Sequence, residues 1–316
     1  MGKLPAAVLA PLAALAAFSL SGCYLLKQAG GQLRILTHMR RIGDVLDDPA
    51  VPPRVKERLR LILEIKEFGE RQMGLAPTSN YTCYYDTEGA AVSHIVSACP
   101  KDRFEPVTWS FPIVGTFPYK GFFDPDDARA EAEDLEGLGY DVARNEVAAY
   151  STLGWFKDPV FSTMIDDPEE EIAALILHEL THATLYIPGD SDFNESLASF
   201  AGRQGALEFV RWRFGLGSPP YDRAVERFAA AELRDARARE TFRKLDDLYR
   251  SGTSLEDKLI LRDLVAGHPV NNADILMQRR YGRYDEFRAV FERAGGDWKM
   301  FFAVLRKEME EGRESP

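Results

Sequence analysis

The chain has 316 residues, 45% of them hydrophobic and 28% charged, with a formal net charge of −11. That length allows two domains or one large one, with enough apolar residues to bury a substantial core. The acidic balance excludes nucleic acid as a partner, because binding phosphate needs a basic face.

At the amino terminus Lys3 precedes an apolar, Ala-rich stretch from Leu4 to Leu20 that carries Pro5 and Pro11. It is short and broken by proline, so residues 1–22 read as a cleaved signal peptide and not as a membrane span. Leu20-Ser21-Gly22-Cys23 resembles the lipobox of bacterial lipoproteins. That resemblance implies that Cys23 is acylated, becomes the first residue of the mature chain and anchors it to a membrane. Tyr24 follows the cysteine where an Asp would signal inner-membrane retention, which implies the outer membrane, with the chain facing the periplasm. An oxidising compartment then favours a disulfide between the two remaining cysteines, Cys83 and Cys99.

Residues 24–48 and 53–75 are predicted as helices. The second opens at Pro52-Pro53 and spaces Val55, Leu59, Ile62, Leu63 and Ile65 at helical intervals. Between Tyr81 and Phe123 the runs are short, aromatic and β-branched, cut by Gly and Pro, as a small antiparallel sheet requires. Asp124 is a helix N-cap with Pro125 at the first position, and Gly137 and Gly139 are stop signals. Strand character returns from Tyr140, and the stretch from Tyr150 to Trp155 reads as a sheet edge able to pair with an extended peptide. From Pro168 the pattern is helical, with Asp167 as cap and Glu170 at the third helical position. Further helices are expected at 192–214, 220–250, 254–266, 271–294 and 297–310. The fold class is therefore α+β and helix-dominated, with a small antiparallel sheet. Residues 23–165 and 166–316 form its two parts, whether as two domains or as one compact one.

The chemistry sits in the segment "ILHELTHATLYIPGDSDFNES". On a helix, positions i and i+4 share a face, so the imidazoles of His178 and His182 project together, about 6 Å apart at Cβ. Two imidazoles so placed can share one metal ion, while Glu179 beside them can reach a water without being a ligand. This is the H-E-x-x-H arrangement of zinc peptidases. A catalytic zinc takes a third protein ligand and keeps one position open. Pro188 excludes the metzincin spacing, which would require a third His there. Glu195 is the leading candidate, reached after the turn "IPGDSD". Two other assignments stay open: Glu195 closing a capping box behind Asp192, or Asp190 or Asp192 serving as the ligand. An oxyanion formed during hydrolysis needs a donor, for which Tyr150, Tyr281 and Tyr284 are candidates, with His268 as a further one. An aminopeptidase also needs a carboxylate for the free amine, and Asp124, Glu146 and Asp158 are available.

"AAYSTLGWFKDPVFSTMI", "ILHELTHATLYIPGDSDFNESLASFAG", "FPIVGTFPYKGFFD" and "HPVNNADIL" resemble a bacterial family of predicted zinc aminopeptidases, several of them lipoproteins. The resemblance implies a zincin-like metallopeptidase fold and a Zn2+ site of His178, His182 and Glu195, with Glu179 as general base, in the gluzincin style. The substrate it implies is a peptide or protein. The chain departs from the classical gluzincins in two respects: Glu195 follows His182 sooner than in thermolysin, and the amine-anchoring G-x-M-E-N motif is missing. The competing expectations are an envelope endopeptidase and a non-catalytic metal-binding lipoprotein of an envelope assembly.

Overall fold

The computed structural model describes residues 24–111, 115–147, 157–279 and 283–314. The signal-peptide and acylation expectations for residues 1–23 therefore lie outside the described residues. A first helix, α1, covers residues 24–38. It is followed by β1 (Arg40–Arg41), α2 (Ile42–Asp47) and α3 (Pro53–Arg71). The strand-rich part then runs β2 (Cys83–Tyr85), β3 (Ser93–Cys99), β4 (Trp109–Phe111), β5 (Gly115–Phe117) and β6 (Lys120–Phe122). After α4 (Pro125–Gly137) come β7 (Asp141–Val147), β8 (Val160–Phe161) and the long helical part. That part comprises α5 (Glu169–Thr184), α6 (Ser191–Phe214), α7 (Pro219–Arg250), α8 (Leu255–Ala266), α9 (Asn272–Arg279), α10 (Tyr284–Arg293) and α11 (Trp298–Glu314). The class is α+β and helix-dominated, as the sequence predicts.

Two predicted helices are interrupted. The first, expected over 24–48, breaks at β1, because Arg40 and Arg41 pair antiparallel with Tyr84 and Cys83. The other, expected over 271–294, ends as α9 at Arg279 and resumes as α10 at Tyr284. The expected small antiparallel sheet is present as several small ones. Strands are shared among a β1-β2-β8 sheet, a β6-β3-β7 sheet and a β4-β5 hairpin, and β2 pairs with β8 in parallel.

The expected disulfide is absent: Cys83 and Cys99 are both free and buried. They stand on strands of different sheets, Cys83 in β2 and Cys99 at the end of β3. The Cys99 thiol donates to the Arg103 carbonyl at 3.2 Å. Burial, the largest influence, pushes its pKa up to about 12, so it stays protonated.

The predicted caps divide. Asp124 does cap α4, accepting from the Asp126 N–H at 2.8 Å, with Pro125 in the first turn. Asp167 does not cap α5, whose cap position is held by Pro168 without a side-chain hydrogen bond. Charge replaces the cap there. Glu169, Glu170 and Glu171 fill the first turn, where the helix dipole favours acids. Glu169 accepts from Arg58 at 2.8 Å, and the fully buried Glu170 accepts from Arg223 at 2.9 and 3.0 Å. Glu171 pairs with Arg227, so α5 is tied to both α3 and α7 at its start.

The main core draws Leu59, Ile62 and Ile65 from α3, Ile172, Ile176, Leu177 and Leu180 from α5, and Phe200 and Phe209 from α6. Burying such side chains contributes roughly 1.5–3 kcal/mol each. Close approach of α5 and α6 rests on Gly202. A Cβ there would lie 2.6 Å from the Ala174 carbonyl oxygen and 3.1 Å from the His178 Cβ. Only a glycine lets the two backbones meet at the level of His178.

Candidate metal centre

Because α5 is apolar around most of its circumference, it is packed on several sides, and His178 and His182 emerge on the face toward α6. Their Nε2 atoms are 3.1 Å apart, with ring centroids at 4.7 Å and planes at 86°. The α5–α6 turn reverses the chain so that Glu195, in the first turns of α6, faces them. Its Oε2 lies 3.5 Å from His178 Nε2 and its Oε1 lies 3.8 Å from His182 Nε2. One ligating atom from each residue falls within 4.8 Å of the others, and all three residues are partly exposed.

The turn that delivers Glu195 is held by its neighbours. Asp190 is the N-cap of α6, accepting from the Phe193 N–H at 2.9 Å. This displaces the expectation that Asp192 caps and that Glu195 closes a capping box. The helix starts at Ser191, which leaves the Glu195 carboxylate turned toward the imidazoles. Asp190 is occupied by its capping bond, and neither it nor Asp192 belongs to the cluster.

The electrostatics follow from packing three titratable groups among apolar residues. His182 is pushed down to about 4, first by burial and then by the His178 charge, with Glu195 opposing. Burial also acts to lower His178, but the Glu195 hydrogen bond and the charges of Glu179 and Glu195 outweigh it and raise its pKa. Glu179 is pushed up to about 7, chiefly by burial, with Glu195 and Asp158 adding to the effect and His178 opposing it. Its Oε2 and the His182 Nδ1 are buried without a hydrogen-bond partner.

Tetrahedral coordination at roughly 2.0–2.2 Å per bond sets ligand atoms about 3.4 Å from one another. The observed separations of 3.1, 3.5 and 3.8 Å bracket that value. Two imidazoles and one carboxylate are also a donor set suited to zinc. These residues could therefore hold a metal ion.

The remaining sequence candidates are dispersed. Tyr150, Tyr281 and the expected edge strand from Tyr150 to Trp155 lie outside the described residues. Tyr284 is corrected to a core residue: its ring packs edge-on to Phe200 and carries the Arg288 guanidinium over its face, 5.2 Å from the ring centre. Burial and the charge of Glu232 push its pKa up to about 12. His268 is in an exposed loop, its Nδ1 2.8 Å from the Pro269 carbonyl. Of the three carboxylates, Asp124 is used as a cap and Glu146 lies in β7 opposite His94. Asp158 is buried and acts electrostatically on Glu179. Sequence reading missed Asn194, whose amide bonds both backbone groups of Ile187 at 2.8 Å, and Gly202 beneath His178. The adjacency of Asn194 to Glu195 was the only available signal for the first.

A sequence model of the family described as "Putative aminopeptidase" matches residues 23–266, which includes every residue of the cluster. No curated protein and no solved structure matches the chain.

Proposed function

The chain belongs to the family described as "Putative aminopeptidase", and from that premise we propose that it is a zinc-dependent metallopeptidase cleaving amino-terminal residues from peptides. The supporting observation is the convergence of His178 Nε2, His182 Nε2 and a Glu195 oxygen at 3.1–3.8 Å. In this reading those three side chains hold the zinc. When bound, zinc supplies Lewis acidity that makes water nucleophilic near neutral pH.

The chain's own residues carry the proton. Glu179 sits one residue past His178 with a carboxyl that titrates near 7, the range in which a group can both accept and return a proton. It takes a proton from the attacking water and delivers it to the nitrogen of the departing amine. The Glu195 hydrogen bond and the charges of Glu179 and Glu195 favour positive charge at His178. A structural zinc normally has four protein ligands. Three among the described residues, with partial exposure, favour an open catalytic position.

The reading extends to location. Leu20-Ser21-Gly22-Cys23 supports acylation at Cys23 and a place in the bacterial envelope, which mass spectrometry of the amino-terminal peptide tests.

The deciding experiment combines metal analysis with turnover of free-amine and amine-blocked peptides. We expect one zinc per chain, cleavage of the free-amine peptide only, and a Glu179→Gln protein that keeps its zinc and loses turnover. Equal cleavage of both peptides would make it an endopeptidase. A Glu179→Gln protein indistinguishable from wild type would make the metal structural.

A further inference from the structure

The first helix has two apolar faces, and the fold covers one of them. On the inner face Ile35 is buried in the main core, and Gly31 lies so close to the Phe123 ring that a Cβ has no room there. Tyr24 pins the start of α1. Its ring stacks on Phe111 and meets Phe122 edge-on, each at 5.7 Å, and its hydroxyl donates to the Gly121 carbonyl at 2.8 Å. At about 100° per residue, Tyr24, Gly31 and Ile35 fall within one arc of about 40°.

The opposite arc, about 140° wide, holds Leu25, Leu26, Ala29, Gly30, Leu33 and Thr37, all exposed, with half-buried Leu36 among them. It contains no charged residue. Leu26 is 74% exposed, Leu33 60% and Leu25 41%, and a Cβ on Gly30 would meet nothing. Helices of soluble domains turn such a stripe inward, so an outward one marks a binding surface. α8 also exposes Leu255, Leu259, Ile260 and Leu264, but there Glu256, Asp257 and Asp263 are interleaved with the apolar residues.

Charge and position identify the partner. Residues 24–43 carry Lys27, Arg34, Arg40 and Arg41 and no Asp or Glu, in a chain of net charge −11. Lys27 and Arg40 pair with Asp127 and Asp48, whereas Arg34 and Arg41 are exposed and pair with no acid among the described residues. An apolar stripe flanked by cations is the pattern of a helix lying in the plane of a bilayer, its cations among anionic headgroups. Tyr24 also follows Cys23 directly. Consecutive Cα atoms are about 3.8 Å apart, so an acylated Cys23 holds the pinned start of α1 at the membrane with no tether between them. No helix among the described residues is long and apolar enough to cross a membrane, so α1 can meet lipid only along its side.

We propose that the outer stripe of α1 docks on an anionic lipid surface, with Leu25, Leu26 and Leu33 among the upper acyl chains and Arg34 at the headgroups. This docking rests on the envelope location proposed above, through the anchor at Cys23, and is independent of the zinc chemistry. The fold is thereby held in one orientation over the bilayer.

The test uses the full chain, purified with its native amino terminus and reconstituted into vesicles of phosphatidylcholine and phosphatidylglycerol. Leu26→Cys, Leu33→Cys and, as a control on α8, Leu264→Cys are labelled with a small thiol-reactive fluorophore, to which the buried Cys83 and Cys99 are closed. The labels at positions 26 and 33 should lose most of their emission to lipids brominated high on the acyl chain, at the depth of roughly 5–10 Å where interfacial helices sit, and should resist aqueous iodide. The label at position 264 should respond to iodide alone. Quenching by brominated lipid should weaken in phosphatidylcholine alone, and equal quenching there would overturn the role of charge. Iodide quenching at 26 and 33 without quenching by brominated lipid overturns the docking, because the stripe then faces water or awaits a protein partner. Access by neither quencher also overturns it, because a second copy or residues 4–20 then cover the stripe. Wild type reports on location separately, since a free Cys23 takes up label and an acylated one does not. Labelled wild type overturns the acylation reading alone, and the stripe is then judged by the same quenching in a Cys23→Ser background with vesicles added.

Discussion

Asn194 and Ile187 clasp each other across the α5–α6 turn: the Ile187 N–H donates to Asn194 Oδ1 and Asn194 Nδ2 donates to the Ile187 carbonyl, both at 2.8 Å. Asn194 is 2% exposed, so these bonds are shielded from water. The next residue is Glu195. The clasp therefore fixes the point from which the carboxylate reaches the imidazoles. We predict that Asn194→Ala lowers zinc affinity about 10- to 100-fold, the range for loss of a group that orients a ligand. Unfolding free energy should fall by about 1–3 kcal/mol. Asn194→Asp keeps the acceptor and loses the donor, so its affinity should be intermediate. Competition titration against a chelator measures both, and unchanged affinity in Asn194→Ala would show that the turn holds without the clasp.

Gly202→Ala should act on the same geometry from below. The new Cβ would meet the Ala174 backbone oxygen at 2.6 Å, and backbone cannot swing aside. Overpacking of this kind costs about 1–3 kcal/mol. Separation of α5 from α6 should also carry Glu195 away from the imidazoles and weaken zinc binding by more than about 10-fold. Gly205→Ala is the control. Its Cβ meets the ends of the Met73 and Leu177 side chains, which can move. Equal losses of zinc affinity from the two substitutions would refute the geometric argument.

The raised pKa of Glu179 makes the metal-free protein pH-sensitive in a defined direction. Its folded pKa, about 7, lies above the ordinary 4.5, so the folded state holds the proton more tightly than the unfolded chain does. Its contribution to stability is therefore complete below 4.5 and is lost as pH rises through 7. In chelator, Glu179→Gln should match wild type near pH 4.5 and exceed it at pH 8, by up to about 3 kcal/mol. Urea unfolding at the two pH values reads the difference. A pH-independent gap would mean that burial does not hold the proton.

Zinc binding should release a proton from one imidazole and not from the other. His178 is raised above 6.5 and keeps its proton at mildly acidic pH, whereas His182, near 4, is already neutral there. Calorimetric titration of Glu179→Gln, which removes the nearby protonated carboxyl, at pH 6 in buffers of different ionisation enthalpy should give up to one proton released per zinc, and fewer as pH rises. Release of two protons by Glu179→Gln at pH 6 would show that the imidazoles do not differ in this way.

The residues that set up the site were legible in the sequence where one helical period decides the outcome. His178, Glu179 and His182 follow from the i, i+4 rule, and their helix is bounded within two residues of the predicted start. Glu195 was one of several alternatives, because its orientation depends on which residue caps α6, and Asp190, Ser191 and Asp192 are all able caps. The structure separates them by the Phe193 N–H bond. Residues that act across sequence distance left no local trace. Gly202 meets the site helix through Ala174 and His178, neither of which lies in its own segment. The parallel pairing of β2 with β8 was hidden for the same reason, since runs of three and two residues carry no signal of partner or direction.

Cys83 and Cys99 are each buried as thiols in separate packing environments. Assembly of the fold accordingly waits on no oxidant and no isomerase, and reductant added during purification should leave it intact. The protein can be produced in a reducing cytosol, with amino-terminal processing set aside, and still present the α5–α6 arrangement for study.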